Sequence, residues 1–416
     1  MALKQFTFLG DSLTQGTWDG ASSFSQGGKG CWMELVTERL ANISTIGPLV
    51  SAGLRRVARG VPPYGTTEWS RSGSWTQTTI TDAFDKAPFG LAWYASGSSN
   101  TVTYTLPTQW RALVGFAIDW IDYSGGGNWS YRVNGGAWTA MGQTLQNDNH
   151  YCRFYVATAV QPGQTIDIRA ADSSGSSVGC LPVGIHPFFL VPSTTDGLIV
   201  HNIASDGLTL HDLVLSTSGD RLAVLDNVRL GTGSPISSTP TIGASAMFIN
   251  DVPDINNTTT WATDLDTLHA RITPLCALGL ISAWEVDAAL CSYASQASYR
   301  SKTKTEAASY SPAVQVYDIF DAWNADGFGG QGAQNIAIFN EGFIIKLFGS
   351  NAVHEGQLGH FDLAARLYGW IRAQFFSSYI GVPNYTVASI ATTPITYVGH
   401  IAAPTTYNAG LPNFIE

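Results

Sequence analysis

The chain has 416 residues, 44% of them hydrophobic and only 12% charged. That is about half the usual charged share of roughly 25%, so Ser, Thr, Asn, Gln and Gly must cover the surface, and a disordered chain is excluded by the wealth of aromatics. The net charge of −10, from 21 basic and 31 acidic residues, argues against a nucleic-acid partner, which leaves a basic footprint.

The length points to two domains or one decorated domain. The opening, MALKQFTFLG, lacks the apolar core of a leader, so no signal peptide is expected and the chain is read as made in the cytoplasm. Residues 3–9, LKQFTFL, read as a short buried strand ending at Gly10. CWMELVTERL (31–40) places Trp32, Leu35, Val36 and Leu40 on one helical face, so a strand followed by a helix opens an α/β fold. The run GLRRVARG (53–60) is the one basic cluster; it reads as a solvated loop, with an anionic ligand as the alternative.

From 53 to about 192 the pattern changes to alternation: TVTYTL (101–106), NWSYRV (128–133) and QTIDIRA (164–170), punctuated by Gly-rich turns such as YSGGGN and VNGGAW. Short alternating runs joined by such turns predict hairpins and a β-sandwich. Near 197 the α/β character returns. DGLIVHNIASDG reads as strand and turn, LTLHDLVLSTSGDRLAVLD as helix, and ASAMFIND (244–251) as a strand ending in a polar pair. WATDLDTLHARITPLCALG (261–279) reads as an amphipathic helix with a Gly C-cap, LISAWEV and AVQVYDIFDAW as strands, and HFDLAARLYGWIRAQF (360–375) as a helix. IAIFNEGFIIKLFG is broken by Glu341 and Lys346, so no membrane insertion is expected. The last stretch, 379–416, is nearly uncharged and rich in Thr, Pro and Tyr. The resulting division is an α/β domain over 1–52 and 195–378, an inserted β-sandwich over 53–194, and a C-terminal extension over 379–416.

Acyl transfer needs a nucleophile, a base, a group that orients the base, and donors for the oxyanion. The nucleophile candidate is Ser12 in Gly10-Asp11-Ser12-Leu13, at a strand end where α/β folds place their sites; the competing reading is a turn serine. The base candidate is His354 in SNAVHEGQLGHFDLAARL, in a Gly-containing loop before a helix. His360, at the helix start, reads as packed or capping. The five cysteines, Cys31, Cys152, Cys180, Cys276 and Cys291, form no CxxC, so neither a metal site nor a disulfide framework is expected.

Taken together these residues resemble the SGNH hydrolases, the GDSL esterase/lipase superfamily. FLGDSLTQG is similar to the family's first block and HNIASDGLTLHDL (201–213) to its second. FIND (248–251) is similar to its third, with Phe248 where the family has glycine, and HEGQLGHFDLAARL to its fifth; the blocks stand in family order. The resemblance covers about 1–52 and 195–375. It implies a flavodoxin-like three-layer domain with a parallel sheet, Ser12 as nucleophile, and His354 as general base then acid. The oxyanion donors it implies are the backbone N–H groups of Ser12 and Gly207 and the side-chain amide of Asn250. No cofactor and no metal are implied. Asp251 and Asp206 read as turn buttresses.

One position departs from the family. Its acid lies three residues before the histidine, and here that residue is Asn351. An amide oxygen accepts a hydrogen bond from the ring but carries no charge, and in a serine-protease triad such a change costs about 10⁴-fold in kcat. Three readings stay open: a Ser–His dyad oriented by Asn351, an acid from elsewhere (Glu355, Glu341 or Asp318), or a binding protein without catalysis.

The inserted region crowds aromatics between Trp93 and Trp138. About half are expected in the core, and Trp110, Trp129 and Trp138 are singled out as candidates for stacking on sugar faces. The arrangement resembles SGNH carbohydrate esterases with an inserted jelly-roll module. The expectation is a serine esterase acting on acylated, above all acetylated, glycan or small ester substrates; the alternative is a glycan-binding or structural protein on the same scaffold. Without a carboxylate pair at a telling spacing, a glycosidase is a distant third. Composition and the missing leader point to a virion setting such as a phage tail, with homo-oligomer or virion assembly partners.

Overall fold

The computed structural model describes residues 4–15, 31–41, 49–51, 55–56, 68–79, 91–108, 110–122, 126–141, 150–190, 197–204, 208–214, 241–251, 258–346 and 352–376. Gly207, Asp206, Asn351, most of the helix expected over 208–226, and the 379–416 extension lie outside them.

β1 (Lys4–Gly10) is buried along nearly its whole length, as a central parallel strand covered on both faces must be. α1 (Ser12–Gln15) and α2 (Trp32–Ala41) follow, then β2 (Leu49–Ser51) and β3 (Arg55–Arg56). Next come β4 (Trp69–Ser72), β5 (Thr76–Thr79), β6 (Leu91–Ser96), β7 (Thr101–Thr105), β8 (Gly115–Asp122), β9 (Ser130–Val133), β10 (Thr139–Ala140), β11 (His150–Val156), β12 (Thr165–Arg169), β13 (Gly179–Cys180) and β14 (Pro182–Phe188). The chain then runs through β15 (Leu198–Ala204), α3 (Leu210–Val214), β16 (Thr241–Met247), α4 (Thr258–Ile272), β17 (Ala277–Ser282), α5 (Tyr293–Ser309) and β18 (Gln315–Asp318). It closes with α6 (Ile319–Ala325), α7 (Gln334–Asn340), β19 (Ile344–Lys346), β20 (Ala352–Glu355) and α8 (Gln357–Phe375).

One long sheet has the order β11-β8-β14-β2-β15-β1-β16-β17-β18. From β2 to β18 every pairing is parallel. The chain steps from β1 to β15 on one side and then crosses to β16 on the other. That reversal of strand order puts the ligand-binding crevice of a doubly wound sheet at the C-terminal ends of β1 and β16.

The regular elements of the region 53–194 are all strands among its described residues, as its alternation implies. In β7 and β12, Val102, Tyr104, Ile166 and Ile168 are fully buried, while Thr101, Thr103 and Thr105 on the opposite face are half-buried. Its strands do not all stay apart from the α/β sheet. β14 pairs with β2 antiparallel, and β8 and β11 continue outward from it. The open edge of β2 is thereby paired rather than left as a template for other chains. A five-stranded sheet, β10-β9-β12-β7-β4, faces these outer strands through aromatic rings: Tyr131 and Phe154 (5.8 Å), Phe116 and Tyr131 (6.1 Å), and Trp129 and Trp120 (5.4 Å).

A buried polar group ties the outer strands together. Arg153 donates to both carboxylate oxygens of Asp119, at 2.8 and 3.0 Å, and His186 Nε2 lies 2.7 Å from Asp119 Oδ2. Burial alone would raise the Asp119 carboxyl, but Arg153 and His186 outweigh it and hold the group below its ordinary value. The His186 ring lies 6.1 Å from that of His201 on β15, and His201 Nε2 is 2.6 Å from Gln5 Oε1 on β1. Polar side chains thus run under the sheet from β11 to β1.

Three local readings change. The helix expected to 279 stops at Ile272, because Pro274 removes an amide and restricts the residue before it. Gly279 lies within β17, where a Cβ would stand 2.7 Å from the Trp370 ring, so it serves close packing rather than a cap. AVQVYDIFDAW divides at Asp318, whose side chain accepts from the Asp321 N–H and starts α6. The 17-residue α5 was not expected, since its sequence YASQASYRSKTKTEAAS is largely polar; Ser292 caps it by accepting from the Ser295 N–H at 3.2 Å. No helix among the described residues is long and apolar enough to cross a membrane.

Candidate active site

The end of β1 is shaped by close approach. A Cβ on Gly10 would lie 2.3 Å from both the Met247 carbonyl and Thr14 Oγ1, so no residue with a side chain fits between β1 and the end of β16. Asp11 follows, fully buried, and three backbone amides donate to it. The Leu13 N–H reaches Oδ1 at 3.0 Å; the Asn250 N–H at 3.1 Å and the Ile249 N–H both reach Oδ2. One carboxylate therefore fixes the turn that carries Ser12 and the strand end that carries Asn250. Burial pushes Asp11 up to about 7, against the pull of these amides.

Ser12 opens α1 and is 2% exposed. His354 stands on β20, opposite Ile345 of β19, and is half-buried. Its Nε2 lies 3.0 Å from Ser12 Oγ, across 342 positions of sequence. With the ring proton on Nδ1, Nε2 accepts from the serine hydroxyl, the arrangement that a serine nucleophile and its base require. Asn250 is half-buried, and its side-chain NH₂ donates to the Leu208 carbonyl at 3.3 Å. That bond leaves the second amide hydrogen for a ligand.

The neighbouring acids have other partners, are exposed, or are raised by burial. Asp251 accepts from the Leu210 and His211 N–H groups at 2.7 and 3.2 Å, buttressing the start of α3; burial pushes it up to about 6. Asp318 caps α6 and pairs with Lys304 at 2.6 Å, and Glu341 is exposed at the end of α7. Glu355 is fully buried, with no other residue hydrogen-bonded to its carboxyl among the described residues, and burial raises it well above the usual carboxyl range. His360 is fully buried and accepts from the Trp32 N–H through Nδ1 at 3.2 Å. Burial, and then the nearby His354, push it down to about 3.

The structure brings Ser12 and His354 together, and Asp11 ties the strand end that carries Asn250 to the turn that carries Ser12. Asp11, Trp32 and Leu208 were not singled out, although Asp11 stands inside the motif itself; its reach to 249 and 250 is a long-range contact with no local signal. Among the described residues no group of His, Cys, Asp or Glu could hold a metal ion, and none of the five cysteines is in a disulfide.

The aromatic candidates separate. Trp129 is 1% and Trp110 4% exposed; the first packs on Trp120 and the second on Phe189. Their ring faces are core surface, so they are not offered to a sugar. Trp138 is half-buried, with the Arg132 and Arg169 guanidinium carbons 4.4 and 4.2 Å from its ring centre.

No family model and no curated protein sequence matches the chain. Among solved structures, a peptidoglycan O-acetylesterase aligns over 90% of this chain and 92% of its own, at 14% identity and a TM-score of 0.53. A family two carbohydrate esterase from Clostridium thermocellum, in complex with cellohexaose, aligns over 74% of this chain and 98% of its own, at 10% identity and a TM-score of 0.28. An exo-beta-1,3-galactanase from Phanerochaete chrysosporium covers 29% of this chain and 27% of its own, at 19% identity and 0.22. The alignment with the O-acetylesterase is a likeness of fold over nearly the full length of both chains.

Proposed function

We propose that the chain is a serine esterase that removes acyl groups, acetyl above all, from a cell-surface or envelope glycan. The observation that carries this reading is the 3.0 Å contact between Ser12 Oγ and His354 Nε2 at the switch point of the sheet. The fold likeness to a peptidoglycan O-acetylesterase supports the choice of substrate class.

In the reaction Ser12 Oγ attacks the ester carbonyl as its proton passes to His354 Nε2. The carbonyl oxygen becomes an oxyanion, which the Ser12 N–H and the Asn250 amide receive, with Gly207 as the third donor. His354 then protonates the departing sugar oxygen, leaving an acyl-Ser12. Water, deprotonated by His354, attacks that ester and releases the carboxylic acid and the free serine. Each preorganised oxyanion donor is worth about 2.7–4 kcal/mol in the transition state. Asn351 takes the acid's place as orienter of the His354 ring.

The 53–194 region is proposed as a sandwich module that holds the glycan, with Trp138 as its aromatic contact, and the setting as a virion or phage tail. Asn351 in place of the family's acid favours one second reading, a glycan-binding protein without turnover. Incubation of the parent and of Ser12→Ala with 4-nitrophenyl acetate and with O-acetylated peptidoglycan separates the two. Acetate release by the parent alone is expected; glycan binding with no release by either protein overturns the esterase.

A further inference from the structure

We infer that His360 is a positioning residue for the Ser12–His354 pair, acting through Trp32. The inference rests on the esterase reading for its kinetic consequence, but the bridge itself stands on contacts. α8 packs along α2, and His360, in the first turn of α8, reaches the first residue of α2. The Trp32 N–H belongs to the first turn of a helix, where no intrahelical acceptor exists. Nδ1 of His360 takes it, at 3.2 Å. The same residue's indole Nε1–H donates to the Leu13 carbonyl at 2.9 Å, one position beyond the nucleophile.

Trp32 therefore donates two hydrogen bonds, one to the helix that follows the base and one to the turn that follows Ser12. Its ring is held as well: it is fully buried and meets Phe8 of β1 edge-on, with centroids 5.6 Å apart. On the other side the link from His360 back to His354 is short and stiff. The Gly356 N–H donates to the Phe343 carbonyl at 2.8 Å, and a Cβ on Gly359 would lie 2.0 Å from that same oxygen. The chain of contacts runs Ser12, Leu13, Trp32, His360, first turn of α8, His354, and it closes a loop through the 3.0 Å serine–histidine contact.

For the bridge to work, Nδ1 must accept, so His360 must be neutral with its proton on Nε2. Burial and the neighbouring base keep the ring neutral, and accepting the Trp32 N–H at Nδ1 sets the proton on Nε2.

Three variants test this: His360→Leu removes the acceptor, His360→Asn keeps an acceptor close to the Nδ1 position, and Trp32→Phe removes the indole donor. With an acetyl ester, His360→Leu is expected to lower kcat about 10- to 100-fold, the scale of an ångström's misplacement, with KM little changed. His360→Asn should restore most of the rate, and Trp32→Phe should fall with His360→Leu, the double variant being no slower than the worse single. Nitrogen NMR of ring-labelled histidine supplies a readout independent of turnover: the His354 Nε2 resonance should move in His360→Leu and stay in His360→Asn. If the parent shows no turnover yet the resonance moves in this way, the esterase reading fails and the bridge stands. If the resonance is unmoved in His360→Leu, or the two single effects multiply in the double variant, the bridge is overturned. Should His360→Leu not fold, His360→Asn and Trp32→Phe still decide it: a His354 resonance unmoved in Trp32→Phe, or displaced in His360→Asn, contradicts it.

Discussion

Replacing Asp11 by Asn separates the burial of a charge from the placement of the nucleophile. The carboxyl titrates at about 7 in the folded chain and near 3.9 unfolded. Folding therefore takes up a proton between about pH 4 and pH 7, and stability falls as pH rises through that window. At about three units and 1.36 kcal/mol each, the loss is about 4 kcal/mol above pH 7. Asn carries no such penalty. Its single carbonyl oxygen serves Ile249 and Asn250, which turns its NH₂ against the Leu13 N–H, at a cost of about 1–3 kcal/mol for the opposed donors. Asp11→Asn is thus expected to be the less stable protein near pH 4 and the more stable above pH 7, with crossing curves. Its kcat should fall about 100-fold at every pH, because Leu13 loses its acceptor one residue from Ser12. Urea denaturation from pH 4 to 8 and acetyl-ester kinetics read both. Parallel stability curves, or an unchanged kcat, refute the reasoning.

Other perturbations address neighbouring parts of the site. Asn351→Asp restores a charge that stabilises the imidazolium, so kcat is expected to rise; a fall in single-turnover rate shows instead that the amide is built into the site. Glu355→Gln should leave kcat unchanged and raise stability as pH climbs above the ordinary carboxyl range, since burial raises the parent's carboxyl and folding must then take up a proton that the unfolded chain has already lost; a large drop in kcat makes Glu355 the acid partner after all. Asp119→Ala strips the counter-charge from Arg153, which is 2% exposed, and is expected to cost about 3–5 kcal/mol in chemical denaturation; a cost below about 1 kcal/mol means that the group is hydrated or relaxes.

The parts of this structure that sequence reveals are those with local chemistry. The strand LKQFTFL, the Gly-Asp-Ser turn, the helix after His354 and the strand before Asn250 each carry their own periodicity or punctuation, and all lie where expected. What escapes is long-range. β8, GFAIDWID, is buried at all eight positions, so its alternation is masked and nothing local says that it joins the sheet of β1. Asp11 looks like part of a motif, yet its work is done on amides 238 and 239 positions away. Trp110 and Trp129 are the residue type of sugar platforms, but each is buried with its ring packed on another aromatic, Phe189 and Trp120. α5 hides because its exposed face is Ser, Thr and Lys, and only Tyr299, Ala307 and a few polar side chains are buried.

In the proposed reaction Ser12 becomes acylated. Acid quench of the protein during turnover of an acetyl ester, followed by peptide mapping by mass spectrometry, reads this directly. One acetyl group is expected on the peptide holding Ser12 in the parent. An unmodified Ser12 during sustained turnover, or turnover that persists in Ser12→Ala, contradicts it.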